Sequence, residues 1–148
     1  MEPWVFPALV AGGFIATHYL FLRAASGRLG DALGALVLEG TAALGIAAFW
    51  LVRGRFSTLP TTRLGVVYAG LSGLAISGAT ILIFAALRKG GPVSSTGTLV
   101  LGGGVALSSL AAPLFFSEAM SGRRVLGVGL GLVAILILAT EGSPSPAP

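Results

Sequence analysis

Long stretches without charge, separated by short segments that hold nearly all of the Arg, Lys, Asp and Glu residues, dominate this sequence of 148 residues. A helix needs about 20 consecutive apolar residues to cross a bilayer, and five stretches come close to that length. They are Trp4–Leu22, Ala32–Val52, Leu64–Leu87, Val93–Phe116 and Val125–Thr140. The sequence therefore predicts an all-α integral membrane protein with five transmembrane helices.

The overall composition agrees with a chain that lies in lipid. It is 55% hydrophobic and 9% charged, whereas about 25% of residues are charged in soluble domains. The net charge of +4 does not indicate a nucleic-acid partner, because the nine basic residues are spread between the apolar stretches. Basic residues at those places are typical of membrane flanks. We expect the lipid bilayer as a partner and no nucleic acid.

Both ends of the chain can be interpreted from their composition. The first stretch lacks the basic region and the cleavage site of a secretory signal, so we expect it to be retained. The last residues read GSPSPAP, a composition that does not support a helix. We therefore expect one transmembrane domain over residues 1–140 and a disordered tail over residues 141–148.

Glu39 is the one charged residue between Ala32 and Val52. A charged side chain near the bilayer centre costs about 2.5 to 3.5 kcal/mol on insertion-derived scales, so such residues usually have a function. We expect Glu39 to bind a cation or to carry a proton. The alternative is a protonated Glu that hydrogen-bonds a neighbouring helix and only joins the two.

Two other side chains are candidates for the same substrate and proton pathway. His18, the only histidine, lies near the end of the first stretch, on the same half of the membrane as Glu39. Because imidazole changes charge near neutral pH, the two residues could relay a proton. Tyr68 lies among glycines early in the third stretch and could line a pocket. The alternatives are an interfacial histidine that headgroups tolerate and a tyrosine that packs between helices.

Small residues and a proline mark positions of helix packing. Gly127 and Gly131 form a GxxxG pattern on the last stretch, which can serve as a dimer face. A chance match is the alternative, because the chain contains 23 glycines. Pro113 lies inside the fourth stretch, where we expect it to kink the helix.

The basic residues are almost equally divided between the two sides of the membrane. If every stretch crosses, one side holds five of them and the other holds four, and orientation normally follows the side with the excess. We expect insertion in both orientations and pairing with an inverted copy, unless some loop residues are assigned to the wrong side. The first set is Arg53, Arg55, Arg63, Arg123 and Arg124, and the second is Arg23, Arg28, Arg88 and Lys89.

Three short motifs resemble the second half of an EamA-type repeat of the drug/metabolite transporter superfamily. They are FAALRKGGP at 84–92, PLFFSE at 113–118 and RRVLGVGLG at 123–131. The resemblance implies one five-helix half of an inverted-repeat transporter, working as an antiparallel homodimer or with a paralogous partner, in a bacterial or archaeal cytoplasmic membrane. The family commonly places an Arg eight residues after the Asp that starts the second helix. This sequence has Glu39 after Asp31 at that spacing, so the local charge is inverted.

The motifs of common enzyme classes are missing from the sequence. It contains no HExxH, no GxSxG, no cysteine and no P-loop, so we expect no enzyme, no cofactor, no metal site and no direct use of ATP. The favoured function is secondary transport of a small cationic or amphipathic metabolite or drug, coupled to protons. The alternative is a non-transporting membrane subunit for assembly or lipid handling.

Overall fold

The structure, a computed structural model, describes residues 3–53, 61–117 and 119–140. These residues form five α-helices, and each is long and apolar enough to cross a membrane. The helices are α1 Val5–Ala25, α2 Asp31–Arg53, α3 Arg63–Arg88, α4 Val93–Phe116 and α5 Gly122–Ala139. The prediction of an all-α protein with five membrane-length helices is thereby confirmed for the described part of the chain. The predicted tail over 141–148 lies outside the described residues, as does Glu118.

The helix ends differ from the apolar stretches by a few residues. Helix α1 continues past Leu22 to Ala25, and α5 begins at Gly122 rather than at Val125. The earlier start of α5 has a local cause, because the Ser121 hydroxyl accepts a hydrogen bond from the Arg124 backbone amide at 3.2 Å. Such a cap satisfies one of the free N–H groups in the first turn of a helix.

The chain divides into two compact units. The first contains residues 1–23 and 89–148, and therefore most of α1 with α4 and α5; the second contains residues 24–88, and therefore α2 and α3. The two candidate proton-binding residues on α2 and α3, Glu39 and Tyr68, belong to the second unit. His18, Pro113, Gly127 and Gly131 belong to the first.

In the second unit α2 and α3 pack where a glycine meets an aromatic ring. A Cβ atom at Gly34 would lie 2.8 Å from the Cε1 and Cζ atoms of Phe84. The Phe84 side chain is only 2% exposed and Leu87, one turn later, is fully buried. The ring therefore occupies the space that the absent side chain of Gly34 leaves, which allows the two helices to approach closely.

An ion pair joins the start of α2 to the end of α3. The Arg88 guanidinium donates to both carboxylate oxygens of Asp31, from Nε at 2.9 and 3.1 Å and from Nη2 at 2.7 Å. A fork of this kind fixes the geometry of both side chains. Before the pair, Gly27 turns the chain from α1 into α2 with a φ of 79°, in the left-handed region that glycine adopts without strain.

In the first unit α4 contacts both α1 and α5 through glycines. A Cβ at Gly97 would lie 3.6 Å from the Tyr19 ring, and one at Gly102 would lie 2.8 Å from Cδ1 of Ile135. No residue of α5 is buried. Because lipid tails are as apolar as the exposed Leu, Ile and Val side chains of α5, this surface is suited to a bilayer or to another helix.

Candidate functional site

Glu39 lies in the first half of α2 and is half-buried. The other charged residues of α2 are Asp31 and Arg53, at the two helix ends. Asp31 is eight residues away, or about 12 Å along the axis at the rise of an α-helix. Glu39 is therefore separated from the ionic groups at both ends of its helix.

Thr80 on α3 is the hydrogen-bond partner of Glu39. The Thr80 Oγ1 atom lies 2.7 Å from Oε1 of Glu39, and Thr80 is 4% exposed. In a membrane interior a carboxyl group needs such a partner, because no water replaces a missing hydrogen bond. The bond thus satisfies one oxygen of Glu39 and at the same time connects α2 to α3.

The same threonine oxygen lies close to a second acceptor on its own helix. Thr80 Oγ1 is 2.9 Å from the backbone carbonyl oxygen of Ile76, one turn earlier on α3. Both distances are within hydrogen-bond range. A hydroxyl group has one proton to donate, so it can donate to only one of these two acceptors at a time.

No basic side chain within the described ranges lies close enough to Glu39 to form an ion pair. Arg88, the basic residue that ends α3, is bound to Asp31 and stands eight residues beyond Thr80. A carboxyl group with a neutral hydroxyl partner and no fixed cation can take up a proton or a mobile cation without displacing a protein side chain. Reversible binding of a proton or a cation is therefore the chemistry that the arrangement around Glu39 allows.

The other two residues predicted for the pathway are Tyr68 and His18. Tyr68 is on α3, but it is 63% exposed and three helical turns before Thr80. His18 lies in the first unit, where its ring contacts that of Tyr19 edge to face at a centroid distance of 5.5 Å. The structure thus brings Thr80 to Glu39, and the proposed relay through His18 and the pocket role of Tyr68 stay predictions.

The residues predicted for helix packing are all in the first unit. Gly127 and Gly131 line a groove of about 260 Å³ between α4 and α5, and a Cβ at either position would meet no atom within 4 Å. The GxxxG pattern is therefore not filled by α4, and its role as a dimer face stays a prediction. Helix α4 continues through Pro113 and ends at Phe116.

A larger groove of about 650 Å³ lies between α1 and α4 in the same unit. Its walls are mainly apolar, with the hydroxyl-bearing residues Tyr19, Ser94 and Thr98 among them. It contains no acidic side chain. The groove offers volume for an apolar group, whereas the candidate chemistry lies at Glu39.

Thr80 is the residue of the candidate site that the sequence did not reveal. A threonine within an apolar helix is common, because its hydroxyl can bond the carbonyl one turn earlier and needs no other partner. The available signal was Glu39, the one acid inside the apolar stretch of α2, because an acid in that position needs a hydrogen-bond partner on a neighbouring helix. Which hydroxyl would meet it depends on how α2 and α3 are rotated, and hydropathy does not determine that rotation.

Comparison with family models, with curated proteins and with solved structures gave no match to this chain. The resemblance to EamA-type repeats therefore remains a hypothesis based on the short motifs. The functional interpretation rests on the residues of α2 and α3.

Proposed function

We propose that this chain is a secondary active transporter that exchanges protons for a small cationic or amphipathic molecule, with Glu39 as the shared binding group. The observation that carries the proposal is the half-buried carboxyl of Glu39, held by Thr80 at 2.7 Å within a membrane-length helix. An acid at that depth raises the free energy of membrane insertion, and acids that occur there usually have a function.

A single carboxylate is sufficient to couple the two fluxes. When Glu39 is ionised it attracts a cationic group, and when it is protonated that attraction is lost. Proton and substrate thus compete for the same oxygen atoms, and a carrier that changes its accessibility only when one of them is bound carries out exchange. Apolar parts of an amphipathic substrate would contact the Leu, Ile and Ala side chains that form most of α2.

The proposed assembly is an inverted homodimer, or a pair with a paralogous partner, in a bacterial or archaeal cytoplasmic membrane. Its support is the near-equal division of basic residues, five against four, which gives the chain little preference for one orientation. With an odd number of crossings, a tandem duplicate of the chain would be inverted relative to the first copy, and a single copy that inserts in both orientations can form the same arrangement. The resemblance to the drug/metabolite transporter superfamily points the same way.

The test is substrate-driven proton movement in liposomes that contain the purified chain. The probe is tetraphenylphosphonium, a lipophilic cation, and an entrapped pH dye reports the protons. We expect Glu39→Gln to reduce proton movement to the level of empty liposomes, because the amide has nearly the same volume but does not titrate. The matched control is Thr41→Val on the same helix, which should leave the flux unchanged because the Thr41 hydroxyl bonds the carbonyls of Val37 and Leu38 rather than Glu39.

Two results would contradict the proposal. If Glu39→Gln drives protons as well as the native chain does, Glu39 is not the coupling group. If the native chain moves no protons with this cation or with a panel of cationic and amphipathic compounds, the chain is better described as a membrane subunit in which Glu39 joins two helices.

A further inference from the structure

The Thr80 hydroxyl has two acceptors and one proton. Its oxygen is 2.7 Å from Oε1 of Glu39 and 2.9 Å from the carbonyl oxygen of Ile76. When Glu39 is ionised, its oxygen can only accept, so Thr80 donates to Glu39 and the Ile76 carbonyl keeps only its ordinary backbone hydrogen bond.

Protonation of Glu39 reverses this arrangement. The carboxyl O–H can now donate to Thr80 Oγ1, which allows the Thr80 proton to turn to the Ile76 carbonyl. Both states use the same two contacts of Thr80 Oγ1, to Oε1 of Glu39 and to the Ile76 carbonyl, and a single proton taken up at Glu39 moves a second proton from one acceptor to the other. Protonation of Glu39 on α2 therefore changes the hydrogen bonding of a backbone carbonyl on α3.

A hydroxyl that donates to the carbonyl four residues earlier weakens the local helix and often bends it. The affected part of α3 contains further features that favour bending. Ser77 donates in the same way to the Gly73 carbonyl at 2.9 Å, and Gly73 and Gly78 have no side chain, so that neither stiffens the turn. This segment, residues 73–80, is called the α3 hinge below.

We propose that Thr80 is a positioning residue that transmits the protonation state of Glu39 to the α3 hinge. Proton binding would favour the more bent form of α3, and proton release would favour the straighter form. The inference deepens the proposed function and rests on it for the link to transport, because a carrier needs an element whose shape depends on the bound proton.

Other ionisable groups on the two packed helices are remote from this pair. They are Asp31 and Arg53 on α2 and Arg63, Tyr68 and Arg88 on α3. The two nearest, Asp31 and Arg88, stand eight residues from Glu39 and Thr80 respectively, or about 12 Å along the axes, and they are bound to each other. A pH effect on the hinge that depends on Thr80 is therefore assigned to Glu39.

The test is amide hydrogen exchange of the full chain in lipid nanodiscs, measured by mass spectrometry between about pH 4 and about pH 9, the range in which protein carboxyls titrate. After correction for the intrinsic pH dependence of exchange, peptides over the α3 hinge should exchange about fivefold faster at low pH, which corresponds to one ordinary hydrogen bond. Thr80→Ser keeps the hydroxyl and should retain the effect. Thr80→Val is isosteric without the hydroxyl and should lose it, as should Glu39→Gln.

Three controls keep the interpretation specific. Ser77→Ala removes a neighbouring hydroxyl that does not bond Glu39, so the pH effect should remain. Thr17→Val and Thr41→Val remove hydroxyls that bond the backbone of their own helices, and they should also leave it. A Thr80→Val variant with the native pH effect overturns the proposal, as does a native chain without any pH effect in the hinge.

These results are separable from those of the transport assay. A hinge that responds to pH through Thr80 in a chain that moves no substrate supports this inference and contradicts transport. Conversely, proton exchange that depends on Glu39 but persists in Thr80→Val supports transport and contradicts the role of Thr80.

Discussion

At the scale of single residues, the contact between Glu39 and Thr80 depends on side-chain length. The 2.7 Å distance between Oε1 and Oγ1 is an ordinary length for a hydrogen bond between two oxygen atoms. Aspartate at position 39 retains the acid but withdraws it by one methylene group, so the hydrogen bond to Thr80 should be weakened. The carboxyl would then exchange its proton beside a weaker partner.

We therefore expect Glu39→Asp to retain transport with a displaced pH dependence, in contrast to the complete loss in Glu39→Gln. The measurement is the pH profile of tetraphenylphosphonium-driven proton flux in liposomes. Thr41→Val is a suitable control on the same helix, because the Thr41 hydroxyl bonds the carbonyls of Val37 and Leu38 rather than Glu39. An unchanged profile in Glu39→Asp would show that the carboxyl position is unimportant.

Glu39 could be identified from the sequence, whereas its partner could not. A lone acid in an apolar stretch stands out because of its insertion cost, and no alternative interpretation of the stretch removes that cost. Thr80, in contrast, resembles the other hydroxyl residues of these helices, including Thr17, Thr41 and Ser77, which bond their own backbone. Only the arrangement of α2 against α3 distinguishes it.

At the scale of helices, the lengths of the apolar stretches predicted all five elements, because the thickness of the bilayer fixes the number of residues in one crossing. The ends were less predictable, since they depend on local groups such as the Ser121 cap of α5. Asp31 also illustrates this limit. The predicted apolar stretch begins at Ala32, whereas α2 begins at Asp31, which binds Arg88 on α3.

The packing of α2 against α3 gives a prediction about Gly34. A methyl group at this position would lie 2.8 Å from the Phe84 ring. Because Phe84 is only 2% exposed, its ring cannot easily move away. We expect Gly34→Ala to destabilise the fold by about 1 to 3 kcal/mol, the usual cost of overpacking. The measurement is reversible unfolding in mixed detergent micelles.

Gly40→Ala provides the matched control on the same helix. A Cβ atom at Gly40 meets nothing within 4 Å, so the added methyl group should not reduce stability. If the two variants unfold alike, the close approach of α2 and α3 at Gly34 is not a source of stability. A second variant, Gly34→Ala with Phe84→Leu, should recover part of the loss because leucine is smaller than phenylalanine.

At the scale of the whole molecule, the large apolar surface and the balance of basic residues bear on assembly. Helix α5 buries none of its residues, and its Gly127 and Gly131 leave open space beside them. Such a surface can face lipid or a second copy. The single chain does not distinguish these environments, because a helix in lipid and a helix at a dimer face expose the same apolar side chains.

Insertion in both orientations can be tested directly because the chain contains no cysteine. Single cysteines at Gly30 and at Thr61, which are exposed, would lie on opposite sides of the membrane if every helix crosses. With an impermeant thiol reagent applied to intact cells, we expect each site to react in only a fraction of the molecules. Complete reaction at one site and none at the other would exclude dual insertion.

Replacing Arg23 and Arg28 by Ala leaves five basic residues against two, and because orientation follows the excess, this variant should react at one site only. Its transport should then be lost and should return when an oppositely oriented copy is co-expressed.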